Sequence, residues 1–423
     1  MAGKGKRAGD RPALDSEAVA AIKARDAGLD SERLAIKYNE MRKSSFAFLR
    51  ATCHLHYSRL PDLGSLMDAP KAWCCGDLHL ENIGCYKAGN GLVYFDINDF
   101  DESLLAPCTF DILRACAGLP AAAREAMLPD AASARLMPAF IAAYAAALAG
   151  GKADWIERDS AGGPVGALIG GLKGRSRKDF LVSRAPVSSS GKRRIATARG
   201  KHALPASKAD KTEAKQLVRD WVASSPVARA KGEDFFDVVD SARRVAGLGS
   251  LGLARHVVLV RGGGKPDEMR LLDIKLARAS CAVAAAGRGQ PAWPDEAVRV
   301  VAVQEMMQAK SPRWLGTADG FVVRELQPGD DKLDLKTLKR DEPGLQSAVE
   351  TCARLAASAH LRAAGRRGSA NADALIAFGR ERNWRAPLLN AAMDSAARSH
   401  ADWDNFSKAY DAGAFTPGSS AKT

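Results

Sequence analysis

Asp77 and Asn82, five residues apart in Gly76-Asp77-Leu78-His79-Leu80-Glu81-Asn82, are the residues whose types and spacing best suit chemistry. A carboxylate can orient an attacking hydroxyl and take its proton, and an amide oxygen nearby can ligate a divalent cation. Asp99 follows Asn82 by seventeen residues, in the acidic run Phe95-Asp96-Ile97-Asn98-Asp99-Phe100-Asp101-Glu102 behind an apolar stretch. Phosphoryl transfer asks for this set, because the metal ion neutralises charge on the moving group while the carboxylate positions the acceptor. On this reading Asp77 is the base, Asn82 and Asp99 hold Mg²⁺, and Asp101 assists a second ion. Asp and Asn are also ordinary turn residues; two such motifs in workable order favour the chemical reading.

A second cluster lies far downstream. Gly247-Leu248-Gly249-Ser250-Leu251-Gly252 has the spacing of a phosphate-cradling loop. A dinucleotide fold would need a helix straight after the glycines. Here the β-branched run Val257 to Val260 follows, then a turn at Gly262 to Asp267 and a second strand ending at Ile274-Lys275. Strand, loop, strand, turn and terminal Lys is the arrangement of protein kinases. Gly247, Gly249, Ser250 and Gly252 would let backbone amides approach the phosphates, with Lys275 as their cation. The Lys275 partner is expected on the next helix, as Glu305 or the neutral Gln304; the two diverge by about 100° on a helix, so one faces the lysine. Backbone near Glu325, Leu326 and Gln327, before Pro328-Gly329, is expected to bind adenine.

The elements that must carry these residues are legible in outline. A helical pattern runs from about 15 to 60, with Ser31 as an N-cap candidate, and two strand-like runs flank the 76–82 loop. Helices return at about 108–150 and 211–223. Strands are expected at Arg255–Val260, Met269–Lys275 and Gly320–Leu326, with a helix near 295–310, and 345–412 is helical. Residues 1–12 and 416–423 read as disordered tails. The net charge of +13 is uneven: Lys173 to Lys215 holds 13 Lys and Arg against three acids. Residues 161–230 therefore read as a basic, flexible insertion, with docking of an anionic partner, including nucleic acid, as the rival use.

Other classes fit less well. The eight cysteines have no framework spacing and no secretory leader precedes them, so a cytoplasmic protein with reduced thiols is expected. The apolar run Met137 to Gly151 contains Pro138 and reads as a core helix too short for a bilayer. A zinc site from Cys74, Cys75 and His79, or from His54 and His56, lacks a second pair at ligand spacing.

The chain also resembles known families. Ala106-Pro107-Cys108-Thr109-Phe110-Asp111 is similar to the aminoglycoside-kinase segment after the metal-binding Asp, which implies that Asp111 braces the catalytic loop. Lys43 to Arg50, Cys75 to Gly84, Asn98 to Glu102, Arg244 to Gly252, Leu272 to Lys275, Arg299 to Gln308 and Phe321 to Arg324 resemble the bacterial family catalogued as domain of unknown function 2252, grouped with kinase-like folds. The likeness spans about 40–410. It departs at Leu276-Ala277, where that family has Glu-Ala, and at Ala302-Val303, where it has Glu-Gly, which bears on the Lys275 partner.

The expected fold is therefore α+β, a bilobal protein-kinase-like fold in circularly permuted order. Helical-lobe elements would lie at both chain ends (13–160 and 331–415), and a β-rich nucleotide lobe at 231–330. Its expected ligands are ATP, or another nucleoside triphosphate, and Mg²⁺, with an unidentified small-molecule or protein acceptor and no membrane. Arg50, Phe46 and Phe48 border the acceptor side. A nucleotide-binding pseudokinase, an AMP-transferring enzyme and a nucleic-acid-associated protein are the alternatives.

Overall fold

The computed structural model describes residues 16–189, 191–197, 202–232, 234–328 and 331–416. The tails expected over 1–12 and, beyond Thr416, at the C-terminus lie outside these residues, as does Gly329. The fold is mixed α and β with several antiparallel sheets.

Four helices open the chain: α1 (Glu17–Asp26), α2 (Ser31–Lys43), α3 (Ser45–Ala51) and α4 (Cys53–Ser58). The cap of α2 is Asp30, whose carboxylate accepts from Arg33 N; Ser31, the expected cap, is the first helical residue. Both side chains can cap, and the ion pair from Arg33 to Asp30 favours the longer-reaching acid. Then come β1 (Lys71–Cys74), β2 (Ile83–Lys87), β3 (Val93–Ile97) and β4 (Leu104–Pro107). β1 pairs with β4, and β2 with β3, so the 75–82 loop is pinned between two short ladders.

Next are α5 (Thr109–Glu125), α6 (Asp130–Gly150) and β5 (Ile156–Glu157). α6 has 21 residues, so the helix is long and apolar enough to cross a membrane, contrary to the expectation of a shorter run. Here it packs against α5 and two later helices, burying Phe140, Ile141, Tyr144 and Leu148.

The 161–230 stretch, expected to be flexible, carries α7 (Gly163–Gly171), α8 (Arg177–Arg184), β6 (Ala203–Leu204), α9 (Lys208–Ser224) and α10 (Pro226–Arg229). Its apolar residues explain these elements. Leu181, Ala185 and Ile195 pack on Val257, Leu259 and Leu271, while Ala214, Leu217, Val218 and Trp221 cover the opposite sheet face. Lys208, Lys211, Lys215 and Arg219 stay on the exposed side of α9, the helix expected at 211–223, so its charge lies on one face of an amphipathic helix.

That sheet holds β7 (Val238–Arg244), β8 (Arg255–Val260) and β9 (Arg270–Leu276), and, after α11 (Val283–Ala286) and α12 (Glu296–Met307), β10 (Gly316–Ala318) and β11 (Phe321–Glu325). Its order is β10-β11-β9-β8-β7-β6, antiparallel throughout. Strand alternation sends Leu272 and Ile274 towards α9 and Leu271, Asp273 and Lys275 to the other face. Three helices finish the chain: α13 (Glu342–Ala363), α14 (Ala372–Arg380) and α15 (Arg385–Asp411). α13 and α14 pack on α6, and α15 packs on α5, α2 and α3, so the two chain ends share one helical core.

Candidate functional site

The Asp77 loop is built by an unusual turn. Gly76 has φ +80°, and a Cβ there would lie 1.9 Å from the Glu102 carbonyl oxygen, so backbone passes where a side chain cannot. Tyr57 Oη donates to Gly76 O at 2.6 Å. Below, Asp111 at the start of α5 accepts from Cys75 N and Gly76 N, both at 2.9 Å. Asp111 also bonds His360 Nε2 at 3.2 Å, and His360 Nδ1 bonds Tyr144 Oη at 2.8 Å. The brace expected of Asp111 is therefore present as a geometry, anchored in α5, α6 and α13. Among the described residues the ligand atoms of Cys74, Asp111 and His360 converge within 4.8 Å, unlike the cysteine and histidine sets weighed from the sequence. Backbone amides occupy Asp111, and Cys74 Sγ donates to carbonyls.

Arg114, three residues beyond Asp111, donates from Nε to Asp77 Oδ1 at 2.8 Å. Burial pushes the Asp77 carboxyl above its ordinary range, against the pull of Arg114. Asn82 Nδ2 donates to Asp77 O at 2.9 Å and to Asp99 O at 3.2 Å, tying loop and acidic run together. Its Oδ1 is buried, with no hydrogen-bond partner among the described residues. Burial would also raise Asp99, but Lys275, Lys332 and Arg324 hold it down at about 2. A fixed anionic oxygen beside an orphaned amide oxygen is a donor set suited to a hard divalent cation.

The glycine loop lies between β7 and β8. Gly247 has φ +75°, and a Cβ there would come 2.8 Å from Arg255 Nη1 and 4.0 Å from Lys275 Nζ. The Lys275 amine therefore sits beneath the loop. Its partner is Asp101, by an ion pair, rather than a residue of the helix that follows. Gln304 is buried and donates to Gln308, while Glu305 is exposed on the far side of α12. Gly249 borders Arg50 O, but Gly252 faces Leu29 and Leu34, so its place is in packing rather than in the loop's cradle.

Two neighbouring hollows result. A cleft of about 380 Å³ is lined by Gly247, Arg255, Asp273, Gln304, Arg324 and Leu326, among others. A smaller one, about 70 Å³, is lined by Asp77, Asn82, Asp101, His54, Gly249 and Ser250. Arg50, Asp99, Gly247 and Lys332 line both. Arg50 pairs with Glu81 at 2.5 Å and lies over the Phe46 ring, whereas Phe48 is buried in the core beside Phe406. Leu326 reaches the cleft, yet its N–H is taken by Leu271 O at 2.8 Å, and Glu325 does not line it. The backbone expected to bind a base is thus partly occupied.

Lys332, Arg114, Arg244 and Asp273 were not read as site residues. Burial, then Arg50, pull the Lys332 amine down to about 8 while Asp99 and Glu81 oppose them. Asp273 and Lys275 stand at alternate positions of the otherwise apolar Leu271-Leu272-Asp273-Ile274-Lys275, and that alternation was the available signal. Arg114 lacked one, because its partner is 37 residues away.

Fold and site together define a mixed α and β protein in which a glycine loop and a lysine close over an acidic, amide-bearing loop. A family model described as "Uncharacterized protein conserved in bacteria (DUF2252)" matches residues 29–409, and the chain belongs to that family. No curated protein and no solved structure matches it.

Proposed function

We propose that the cleft is the active site of an ATP-dependent, Mg²⁺-dependent phosphotransferase built on the protein-kinase plan in permuted order. The observation that carries the reading is convergence: Asp77, Asn82, Asp99 and Gly247 line the smaller hollow, and Lys275 lies against Gly247 and Asp101, although Gly247 and Lys275 come far later in the chain. Asn82 Oδ1 and the Asp99 carboxylate would hold Mg²⁺, which when bound supplies charge neutralisation on the transferring group. Gly247 and Gly249 bring backbone close to phosphate, and Lys275 exchanges Asp101 for a phosphate oxygen. Asp77 orients the acceptor hydroxyl. Its oxygen bonds to the γ-phosphorus as the bond to the bridging oxygen breaks; ADP leaves with the electron pair, and the hydroxyl proton passes to Asp77.

The test is thermal stabilisation of the full chain by Mg·ATP, compared between wild type and Asp99→Ala. A nucleotide at about a hundred times its Kd stabilises by about 2.7 kcal/mol, and the variant should lose most of that. Absence of a shift in wild type with any nucleotide would sink the proposal. A second reading, transfer of AMP, uses the same residues and is favoured by the charged deep end of the cleft.

A further inference from the structure

Beneath β8, β9 and β11 the larger cleft ends in three guanidinium groups around one carboxylate. Arg255 grips Asp273 with two bonds, Nε to Oδ1 at 2.8 Å and Nη2 to Oδ2 at 2.6 Å. Arg324 Nε reaches Oδ2 at 3.3 Å. Arg244 Nη1 lies 3.4 Å from Oδ1 and is buried, with no hydrogen-bond partner among the described residues. Among the described residues Asp273 is the one carboxylate that all three arginines touch. Three guanidinium groups thus share one contacting carboxylate, with Asp99 and Asp101 acting from farther off, and a buried cation short of anions is costly. Burial, with Arg255 and Arg324 beside it, pulls Arg244 down to about 9 in spite of Asp273.

We propose that this end of the cleft is a phosphate-binding subsite, contacted by Arg244 and Arg324, with Arg255 held on Asp273 as their fixed support. Arginine suits the task because its planar fork donates two parallel bonds to phosphate oxygens. The position fits a polyphosphate. Asp273 and Lys275 are two residues apart on one strand face, about 7 Å, and Arg324 Nη1 also bonds Asn98 O, next to Asp99, at 3.3 Å. One phosphate at the arginines and another at Lys275 and Asp99 then belong to a single chain.

The phosphate has two sources. A free anion such as pyrophosphate can occupy the subsite alone. A nucleotide, on the reading given above for the cleft, would enter triphosphate first and leave its α-phosphorus near Asp99. The acceptor oxygen would then bond to the α-phosphorus, the bond to the α,β-bridging oxygen would break, and pyrophosphate would leave with the electron pair as the hydroxyl proton passed to Asp77.

Titration of the full chain with Mg²⁺ and pyrophosphate tests the subsite in wild type, Arg324→Ala, Arg244→Gln, Arg324→Lys and the surface control Lys211→Ala/Lys215→Ala. Loss of one charged hydrogen bond should weaken pyrophosphate by about tenfold or more in Arg324→Ala and Arg244→Gln. The lysine variant should keep part of the affinity and the control all of it. The Arg324 side chain is 27% exposed, so its removal should leave the fold intact, as a melting curve checks. No pyrophosphate binding in wild type, or affinities unchanged in both arginine variants, overturns the subsite.

Parallel ATP and AMP titrations identify the source. If Arg324→Ala erases a preference for ATP over AMP, the nucleotide supplies the phosphate, and slow hydrolysis should yield AMP and pyrophosphate. If ATP binding is untouched while pyrophosphate binding is lost, the free anion is the ligand. Pyrophosphate binding without any nucleotide binding removes the phosphotransferase reading and leaves the subsite standing.

Discussion

Arg114 spans two parts of the site: its Nε donates to Asp77 Oδ1 at 2.8 Å, and its Nη2 donates to Leu49 O at 2.6 Å. It is buried in α5, so the Asp77 carboxylate is positioned by the helical core. Arg114→Ala leaves Asp77 without its cation, and breaking such a buried pair costs about 3–5 kcal/mol. Urea denaturation should show that loss. A change below about 1 kcal/mol would mean that the pair is not structural.

The Asp111 brace makes a second prediction. Asp111→Ala leaves the Cys75 and Gly76 amides without their acceptor, each costing about 1–3 kcal/mol when buried. Hydrogen exchange should speed up at residues 75–77 before the rest of the protein opens. Uniform acceleration over all helices would show a global effect instead.

Lys275 and the α12 residues should separate cleanly. Lys275→Met should remove most of the Mg·ATP stabilisation, since the amine lies under Gly247. Glu305→Ala should leave nucleotide affinity within about twofold, because Glu305 is exposed. Equal losses in both variants would restore Glu305 to the site.

Acid should destabilise the fold through its histidines. Burial, then nearby Lys37 and Arg25, lowers His54 to about 3. Burial and Arg114 lower His56, and burial, Arg50 and Arg114 lower His79. The unfolded chain takes up these protons below about 6.5 while the folded chain does not, so stability falls as pH drops from there. Each histidine removes about 1.4 kcal/mol per pH unit well below that point. Urea midpoints should fall between about pH 7 and pH 5, less so in His54→Gln/His56→Gln. Equal midpoints at both pH values in wild type would contradict it.

Asp77, Asn82, Asp99, Gly247 and Lys275 were legible in the sequence because short motifs of polar residues between apolar runs are local signals. The strand Arg255–Val260 was legible for the same reason, since period-2 and β-branched runs leave a local trace. In the 161–230 stretch the helix expected at 211–223 was legible, but the short elements before it were not, because a run rich in Ser, Gly and basic residues leaves no clear period.

Partners were beyond reach of the sequence. Lys275 pairs with Asp101, 174 residues away, rather than with the helix that follows it. Asp273 looked like a lone acid in an apolar strand until β7, β8 and β11 brought Arg244, Arg255 and Arg324 around it. Residue order sets each strand's and helix's pattern; which charges meet depends on how those elements pack, because Coulomb attraction acts through space and is indifferent to chain separation.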